Sequence, residues 1–437
     1  MFKAGFSELA FTPEFGLEIP GYYTPRCANG VLTELCAKAA VFESGDELCG
    51  LVVLDIIGGS YEITKKIRER VSKYIPVAPE KLIVFSTHTH TSVPVDFDLY
   101  ESRKNIECVD RFCIKAADAV VAAYNSRREA VCGYGEDCEA SISFNRRFYM
   151  KGGGVKMNPG FLNPDAISPE GTVDPQVGVL RFDSPEGKPI ALITNFACHL
   201  DTVGGSSYCA DYPAELSETV KTVLGRDVIS IFINGCCGNL NHFDFTKAPS
   251  CKPDHYKKMG RLLGYKALSA REKAVVKADS IVKCVTEFMD IPMRQPTPVD
   301  LEFARVHANN PSSAVNDRDI AEDILSLYKE PVLTKPAEQQ VISIGDTAIC
   351  SLPGEVFTEI GLEIKKESPF AHTLVGELGS ANIGYVAAKF AHDNMKNLPY
   401  AVQTMSYETR LSKYTGAVPE TGEQFVKTAK KLLDRCK

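Results

Sequence analysis

Residues 81–90 of the chain read KLIVFSTHTH. The apolar run at 82–85 contains β-branched and aromatic residues and predicts a buried strand. His88 and His90 follow directly after it, and side chains two residues apart on an extended segment lie on the same face. The stretch therefore predicts two neighbouring imidazoles where a strand leaves its sheet. Such a pair is typical either of the start of a metal site or of two hydrogen-bonded loop histidines.

The elements around this stretch predict an α/β fold. A nearly all-apolar run at 48–57 predicts a central strand, and the spacing at about 61–74 predicts a helix before the strand that ends at Phe85. Ligands of open α/β sheets gather at the carboxyl ends of strands. The rest of the chain predicts strands near 189–197, 228–233, 280–293, 341–352 and 373–375. It predicts helices near 110–127, 255–273, 317–329 and 420–436, one helix that begins at 211 and one that ends at about 367. A loop-rich stretch is predicted at 133–176. With no linker or repeat between them, we predict mixed β-sheets flanked by helices in a single large domain covering residues 1–437.

Composition limits the partners that the protein can have. Of its 437 residues, 44% are hydrophobic and 24% are charged, and the net charge of −7 argues against nucleic acid as a partner. No run approaches the ~20 apolar residues of a membrane helix, and the first residues lack the apolar core of a signal peptide. We therefore expect a cytoplasmic protein with a small-molecule substrate and no membrane insertion, whose oligomeric state the sequence does not indicate. Its fifteen cysteines, with no CxxC pair, predict free thiols and no disulfide framework.

Three further candidate site residues lie at or after the ends of predicted strands. His199 follows the strand at 189–197, Glu355 follows the hairpin at 341–352, and Tyr385 lies beyond the next strand. Two histidines and a carboxylate form a common catalytic zinc set that leaves one position open for water. The alternative for Tyr385 is an edge residue of the core with a satisfied hydroxyl.

These motifs, in this order, resemble the catalytic domain of neutral, non-lysosomal ceramidases. That family carries His-Thr-His-Ser-Gly-Pro after a strand, where this chain has HTHTSVP at 88–94. It carries Ala-x-His-Pro-Thr at a strand end and Pro-Gly-Glu before a helix, where this chain has ACHLDT at 197–202 and PGE at 353–355. A later tyrosine motif corresponds to Tyr385 and Val386, and the N-terminal FTP at 11–13 also matches in order. The resemblance covers nearly the whole chain.

The resemblance implies roles for individual residues. One zinc ion per chain is implied, held by His88, His199, Glu355 and Tyr385. Tyr385 is thereby assigned to catalysis as well as to the metal. His90 is implied to act close to the chemistry, with the orientation of a ligand as its alternative. The family's substrate-binding Asn-Arg element corresponds to residues 145–146, so we predict that Arg146 contacts the substrate, a surface charge being the alternative.

The stretch at 238–242, GNLNH, departs from the family pattern. Where the family has the nucleophilic Ser of Gly-Asp-Val-Ser-Pro-Asn, this chain has Asn241, whose amide is not a useful nucleophile. We predict that Asn241 instead stabilises an oxyanion or holds the attacking water, and that Asn239 and His242 contact the substrate. A thiol of the Cys236–Cys237 pair is the alternative replacement for the missing Ser. We also expect neither the family's immunoglobulin-like C-terminal domain nor its secretion signal.

The sequence therefore predicts a zinc-dependent hydrolase. In this prediction a metal-activated water cleaves an amide, or a related bond, of a small soluble substrate without forming an acyl-enzyme. Two alternatives use the same residues: a metal-dependent lyase or carbohydrate-acting enzyme on the same scaffold, and a non-catalytic metal-binding protein. The ligand types also suit iron or manganese.

Overall fold

The computed structural model describes residues 1–22, 24–95, 103–396, 398–403 and 405–437. Its strands are, in chain order, β1 (Phe2–Ala10), β2 (Gly30–Val31), β3 (Cys36–Ser44), β4 (Glu47–Leu54), β5 (Leu82–Ser86), β6 (Arg128–Glu129), β7 (Val131–Cys138), β8 (Phe144–Asn145), β9 (Arg147–Met150), β10 (Val155–Met157), β11 (Ala166–Pro169), β12 (Gln176–Asp183), β13 (Pro189–Phe196), β14 (Ser207–Tyr208), β15 (Ile229–Asn234), β16 (Leu240–Asn241), β17 (Val282–Pro292), β18 (Thr334–Ile344), β19 (Thr347–Ser351), β20 (Glu355–Val356), β21 (His372–Gly376) and β22 (Tyr385–Val386). Its helices are α1 (Tyr61–Val71), α2 (Arg103–Asn125), α3 (Tyr212–Leu224), α4 (His255–Lys273), α5 (Pro298–His307), α6 (Val315–Lys329), α7 (Thr358–Glu367), α8 (Lys389–Asp393), α9 (Tyr400–Gln403) and α10 (Thr421–Cys436).

Three larger sheets organise the chain. The first has the strand order β5-β4-β3-β1-β6, the second β15-β13-β12-β7 and the third β17-β18-β19-β21. Each sheet contains one parallel pair, β4 with β5, β13 with β15, and β19 with β21. The other neighbours in these sheets are antiparallel. The predicted fold class, mixed β-sheets flanked by helices, is confirmed.

A shared hydrophobic core lies between the three sheets. Each sheet contributes to it, with Phe42 from the first, Ile193 from the second and Ile342 from the third as examples. The outer faces of the sheets pack against helices: α1 and α2 cover the first sheet, α3 and α4 the second, and α7 and α10 the third. In the described part of the chain, none of the helices has both the length and the apolar character that crossing a bilayer requires.

Strand β4 explains why the sequence at 48–57 is almost continuously apolar. Leu51 and Val53 face the shared core, whereas Val52 and Leu54 face α1 and α2. A strand that is buried on both faces needs an apolar side chain at every position. Full burial of each such side chain contributes about 1.5–3 kcal/mol, which fixes the register of β4 between its two neighbours.

Three regions differ from the prediction, and two of the differences have a local reason. The stretch at 133–176, predicted to be loop-rich, contains β7 to β11. Strand β7 carries Gly133 and Gly135, and a Cβ at Gly135 would lie 2.0 Å from Ala270 O of α4. Glycine is depleted in strands. Gly135, which lets α4 pack closely, therefore also removes the sequence signal for strand β7. Helix α5 replaces a predicted proline-containing connection, because Thr297 and Asp300 form a capping box around its first turn. Helix α2 also begins at residue 103, ahead of the predicted 110.

A buried ion pair joins α1 to the third sheet. The Arg68 guanidinium donates to both carboxylate oxygens of Glu338 and to Gln340 Oε1, and the two charged side chains are at most 5% exposed. We expect Glu338→Ala to lower the free energy of unfolding by about 3–5 kcal/mol, because the Arg68 charge would stay buried without its partner. Urea-unfolding midpoints measure this, with Glu302→Ala as the control. Glu302 pairs with Arg305 on the surface, so its loss should cost at most ~1 kcal/mol, and equal shifts in both variants would contradict the expectation.

Candidate metal centre

Three strand ends meet at one point, one from each large sheet. His88 follows β5, His199 follows β13, and Glu355 follows β19. His88 Nε2 lies 3.0 Å from His199 Nε2 and 3.2 Å from Glu355 Oε2, and the latter two atoms are 3.4 Å apart. All three side chains are buried. The fold thus brings together three residues that are far apart in the sequence.

The backbone at His88 is not extended, so that part of the prediction is wrong. Its φ of 78° lies in the left-handed region, which costs a non-glycine residue about 1–3 kcal/mol. The amide of His88 donates to Ile56 O at 3.0 Å and its ring Nδ1 contacts Ile57 O at 2.6 Å, and these contacts hold the conformation. His90 nevertheless comes within reach, with its Nε2 3.4 Å from His88 Nε2. Backbone strain of this kind collects at functional sites.

Hydrogen bonds fix which ring nitrogens face the centre. Nδ1 of His88 contacts Ile57 O at 2.6 Å, and Nδ1 of His199 contacts Cys237 O at 3.1 Å. Because a carbonyl oxygen only accepts, each Nδ1 carries the proton in a neutral ring and each Nε2 presents a lone pair. Glu355 Oε2 faces these lone pairs and has no hydrogen-bond partner among the described residues. Three converging acceptors need a positive charge between them.

The spacing of these atoms fits a tetrahedral ion. Ligand atoms about 2.0–2.1 Å from zinc lie roughly 3.3–3.4 Å apart at the corners of a tetrahedron. The three separations of 3.0, 3.2 and 3.4 Å are close to that edge. The hydroxyl of Tyr385 lies 3.5 Å from His199 Nε2 and is a candidate fourth ligand. The residues present therefore fit a zinc ion held by two imidazoles, a carboxylate and a phenol.

His90 is the third histidine of the cluster. The ligand nitrogens of His88, His90 and His199 all lie within 4.8 Å of one another, so these three residues could also hold an ion. Unlike the other two, His90 is only partly buried, and its ring lies 6.1 Å from that of the exposed Tyr22. Arg26 holds the backbone of His90 by donating to its carbonyl at 2.5 Å. His90 therefore lies on the solvent side of the centre.

The pKa values of His88 and Glu355 show the same demand for positive charge. Burial lowers the pKa of both His199 and His90 to about 3. Burial acts on His88 in the same direction, but the Glu355 carboxylate outweighs it and raises the pKa of His88 to about 9. In turn, burial works to raise the pKa of Glu355, while the charge on His88 holds it well below its usual range. A proton on His88 thus supplies the positive charge beside Glu355 that a bound metal ion could supply instead.

Tyr385 lies opposite Glu355 in the short parallel pair of β20 and β22. Arg146 donates to the Tyr385 hydroxyl at 3.1 Å, to Gly238 O at 2.8 Å and to Glu408 Oε1 at 3.1 Å. Burial and the charge of Glu355 raise the pKa of Tyr385, and the Arg146 charge opposes them. Arg146 is thus placed behind a candidate ligand, where its charge favours the phenolate form that a metal binds.

Glu377 supports two of the candidate ligands, and the sequence analysis missed it. Its Oε2 accepts from the amides of Cys237 and Val356, both at 3.0 Å, and its Oε1 accepts from the Cys237 thiol at 2.9 Å. Cys237 provides the carbonyl that contacts His199, and Val356 follows Glu355 in the chain. One carboxylate therefore positions both ligand segments, and burial raises its pKa to about 7. Its place directly after β21 is the same signal that identified the histidines and could have found it.

Tyr414 is a second supporting residue that the sequence analysis missed. Its hydroxyl donates to Glu355 Oε1 at 2.5 Å and accepts from Asn382 Nδ2 at 2.8 Å. Its carbonyl accepts from the amide of Tyr385 at 3.2 Å. Tyr414 thus holds one candidate ligand through its side chain and another through its backbone. No local pattern marks it, since the contact with Glu355 joins residues 59 positions apart.

The structure places Asn239 at the start of helix α7. Its Oδ1 accepts from the amide of Thr358 at 2.9 Å, and its Nδ2 donates to Glu359 Oε2 at 2.8 Å. Both polar atoms of the side chain are therefore engaged in capping a helix. The predicted substrate contact of Asn239 has no geometric support here.

Asn241 and His242 lie in and directly after the short strand β16. Asn241 donates through Nδ2 to Asn158 Oδ1 at 2.9 Å and accepts through Oδ1 from the amide of Phe243 at 2.9 Å. One hydrogen on its Nδ2 is left to donate, which is the hydrogen that the predicted oxyanion role requires. His242 is buried, and its Nδ1 has no hydrogen-bond partner among the described residues.

The vicinal thiols are poor replacements for a nucleophilic serine. Cys236 and Cys237 are buried, and burial raises the pKa of both well above the usual value. A protonated buried thiol is a weak nucleophile. All fifteen cysteines lie in the described residues, and every one is a free thiol there.

Known structures share the fold of this chain. A crystal structure of neutral ceramidase from Pseudomonas aeruginosa matches it with a TM-score of 0.71 and 18% sequence identity, over 99% of this chain and 75% of that one. A structure of ceramidase complexed with C2 matches with a TM-score of 0.71 and 17% identity, over 99% and 75% of the two chains. No protein-family model and no curated protein matches the sequence. The predicted likeness to the neutral ceramidase catalytic domain is thereby confirmed for the fold.

Proposed function

We propose that this chain, which has the fold of neutral ceramidases, is a zinc-dependent hydrolase that cleaves an amide or a related bond of a small molecule. One observation carries the proposal: the lone pairs of His88 and His199 and a carboxylate oxygen of Glu355 converge within 3.4 Å of one another. When bound there, zinc lowers the pKa of a coordinated water toward ~7 and polarises a substrate carbonyl. The choice of an amide bond rests on the resemblance of the motifs to those of ceramidases.

In this proposal the zinc ligands are His88, His199, Glu355 and Tyr385. His90 stays free to move protons at its Nε2, which is 3.4 Å from His88 Nε2 and on the more open side of the centre. It takes a proton from the attacking water and gives one to the leaving nitrogen. A histidine whose lone pair is engaged by a metal cannot do this, so the division of roles between His88 and His90 is a testable part of the proposal.

We further propose that water attacks the carbonyl directly. By the resemblance of the motifs, Asn241 corresponds to the nucleophilic Ser of ceramidases, and we propose that its remaining amide hydrogen donates to a developing oxyanion. We expect Asn241→Ala to lower kcat by about 10²–10³-fold while the metal stays bound, as for the loss of one oxyanion donor. Turnover and metal content measure this, with Asn163→Ala in a nearby loop as the control. Unchanged turnover in Asn241→Ala would show that Asn241 does not stabilise an oxyanion.

Two measurements test the reaction class. Elemental analysis of the purified protein should find about one zinc per chain. Turnover in heavy-oxygen water should place the label in the acid product, because hydrolysis incorporates water and elimination does not. Rapid-quench mass spectrometry during turnover should find no acyl adduct. An adduct on Cys236 or Cys237 would show that a thiol attacks instead, and the direct-water mechanism would be abandoned.

We also propose a cytoplasmic location. The support is the fifteen free cysteines, because so many unpaired thiols persist only in a reducing compartment. Fractionation of cells that produce the full-length protein tests this.

A further inference from the structure

A cavity lies beside the segment that follows Asn241, and none of the candidate metal ligands lines it. Its volume is about 180 Å³, and Phe144, Phe161 and Phe243 line it. Phe161 and Phe243 are in edge-on contact, with ring centroids 5.5 Å apart. The volume corresponds to roughly six water molecules in the liquid. The cavity therefore suits an aromatic ring or a short apolar group, and it is too small for a long hydrocarbon chain.

The charged groups around this cavity favour an anion. Lys247 and Lys258 line its rim, together with Asp244. Lys247 is paired with Asp244 at 2.8 Å, whereas no ion pair of Lys258 is found in the described part of the chain. His255 and Lys258 belong to the first turn of α4, where the helix carries a partial positive charge, and the N-cap residue Asp254 makes no side-chain capping bond.

His242 is a polar residue in the lining of the cavity. It is 6% exposed, and its Nδ1 is buried without a hydrogen-bond partner among the described residues. Its ring packs on Phe243 with centroids 3.9 Å apart, which fixes its orientation. Buried polar atoms in native proteins nearly always have a partner, so the unpartnered Nδ1 of this lining residue is a candidate donor to a bound ligand.

The cavity adjoins the segments that carry the reaction. Ile142 in its wall accepts from the thiol of Cys198 at 3.6 Å, and Cys198 directly precedes His199. Phe243 in its wall donates its amide to Asn241. The wall of the cavity therefore contacts Asn241 and the residue that precedes His199.

We propose that this cavity binds a carboxylate together with the aromatic ring or short apolar group that carries it. The substrate is then a small N-acyl compound with a free carboxylate, of the kind that an N-acylated aromatic amino acid represents. The carboxylate pairs with Lys258 and accepts from His242 Nδ1, the ring packs among the phenylalanines, and the amide reaches the metal centre. The cleavage of that amide rests on the proposed function, whereas the binding of the carboxylate does not.

A binding experiment tests the cavity without requiring turnover. Isothermal titration calorimetry of the metal-loaded protein should give a lower Kd for phenylacetate than for phenylacetamide, its uncharged counterpart. Lys258→Gln should weaken phenylacetate binding by about tenfold, the expected loss for one charge-assisted hydrogen bond. Lys257→Gln, a neighbouring lysine outside the cavity, is the matched control. Equal Kd values for the two probes, or equal effects of the two substitutions, would overturn the proposal.

A carboxylate can also bind a metal ion directly, so the titration is repeated on chelator-treated protein and on His88→Ala protein. Phenylacetate should bind these two preparations with the same Kd as the untreated protein. Loss of binding in both preparations would show that the carboxylate binds the metal, and the proposed site in the cavity would be wrong. Turnover separates the two proposals. N-acetylphenylalanine should have a lower KM than N-acetylphenylalaninamide, and Lys258→Gln should abolish that difference. Binding without any turnover would support the proposed carboxylate site and contradict the proposed hydrolase function. Turnover with equal KM values would support the hydrolase function and contradict the carboxylate site.

Discussion

Replacing His199 by alanine is expected to remove the metal ion and the activity together. His199 Nε2 is within 3.5 Å of three other candidate ligand atoms. The substitution therefore removes an atom that lies close to all the other candidate ligands. Removing a residue that only supports a ligand typically costs 10–100-fold in metal affinity, and removing a ligand should cost more. We therefore expect the purified His199→Ala protein to retain less than about a tenth of the metal. Its thermal midpoint should also fall to that of chelator-treated protein, since a bound ion stabilises the folded state.

Elemental analysis and a thermal scan on the same preparation measure both effects. His307→Ala is the matched control, because His307 lies on α5 and its ring contacts Ser313 Oγ at 2.9 Å, away from the centre. The control should keep its metal and its midpoint. Full metal content in His199→Ala would show that the ion, if there is one, lies elsewhere, and the ligand assignment would have to be given up.

Replacing His90 by alanine is expected to separate metal binding from catalysis. If His90 moves protons and does not hold the ion, His90→Ala keeps the metal and loses activity by about 10²–10⁴-fold, the usual contribution of general acid–base catalysis. The loss should appear in kcat, because the group acts on the reacting atoms. Metal content and steady-state kinetics of the same preparation are the measurement.

The alternative ligand set predicts a different result for the same variant. The nitrogens of His88, His90 and His199 are close enough to hold an ion by themselves. In that case His90→Ala loses its metal, and a Glu355→Gln variant keeps most of it. Comparing His90→Ala with Glu355→Gln by elemental analysis therefore distinguishes a two-histidine, one-carboxylate site from a three-histidine site. Loss of metal from His90→Ala alone would remove its proton-transfer role.

The sequence predicted those candidate site residues that come after the carboxyl end of a predicted strand. His88, His199 and Glu355 each come directly after an apolar run, and such runs become buried strands whose carboxyl ends carry ligands. The pairing of His88 with His90 was predicted from an extended backbone, and that step is wrong because the backbone at His88 is left-handed. Local sequence cannot specify such a φ, because Ile56 and Ile57, in the segment after β4, supply the contacts that hold it.

What the sequence missed depends on contacts across the fold. Tyr414 reaches Glu355 through packing of a segment that has no strand or helix signal of its own. The predicted substrate contact of Arg146 stays a prediction, whereas the contacts of its guanidinium with Tyr385 and Glu408 were not predicted. Strand β7 was missed because its glycines serve the close approach of α4. In each case the three-dimensional partner, and not the residue type, decides the role.

The distances along the chain between the candidate ligands determine when the ion can be captured. His88 and His199 are 111 residues apart, and His199 and Tyr385 are 186 residues apart. While the chain is being synthesised, a ribosome must release residue 385 before a complete set of ligands exists. Before that point the nascent polypeptide lacks at least Tyr385 of the proposed set. In this proposal the selection of a metal therefore depends on the folded chain and not on the local pair of His88 and His90 alone.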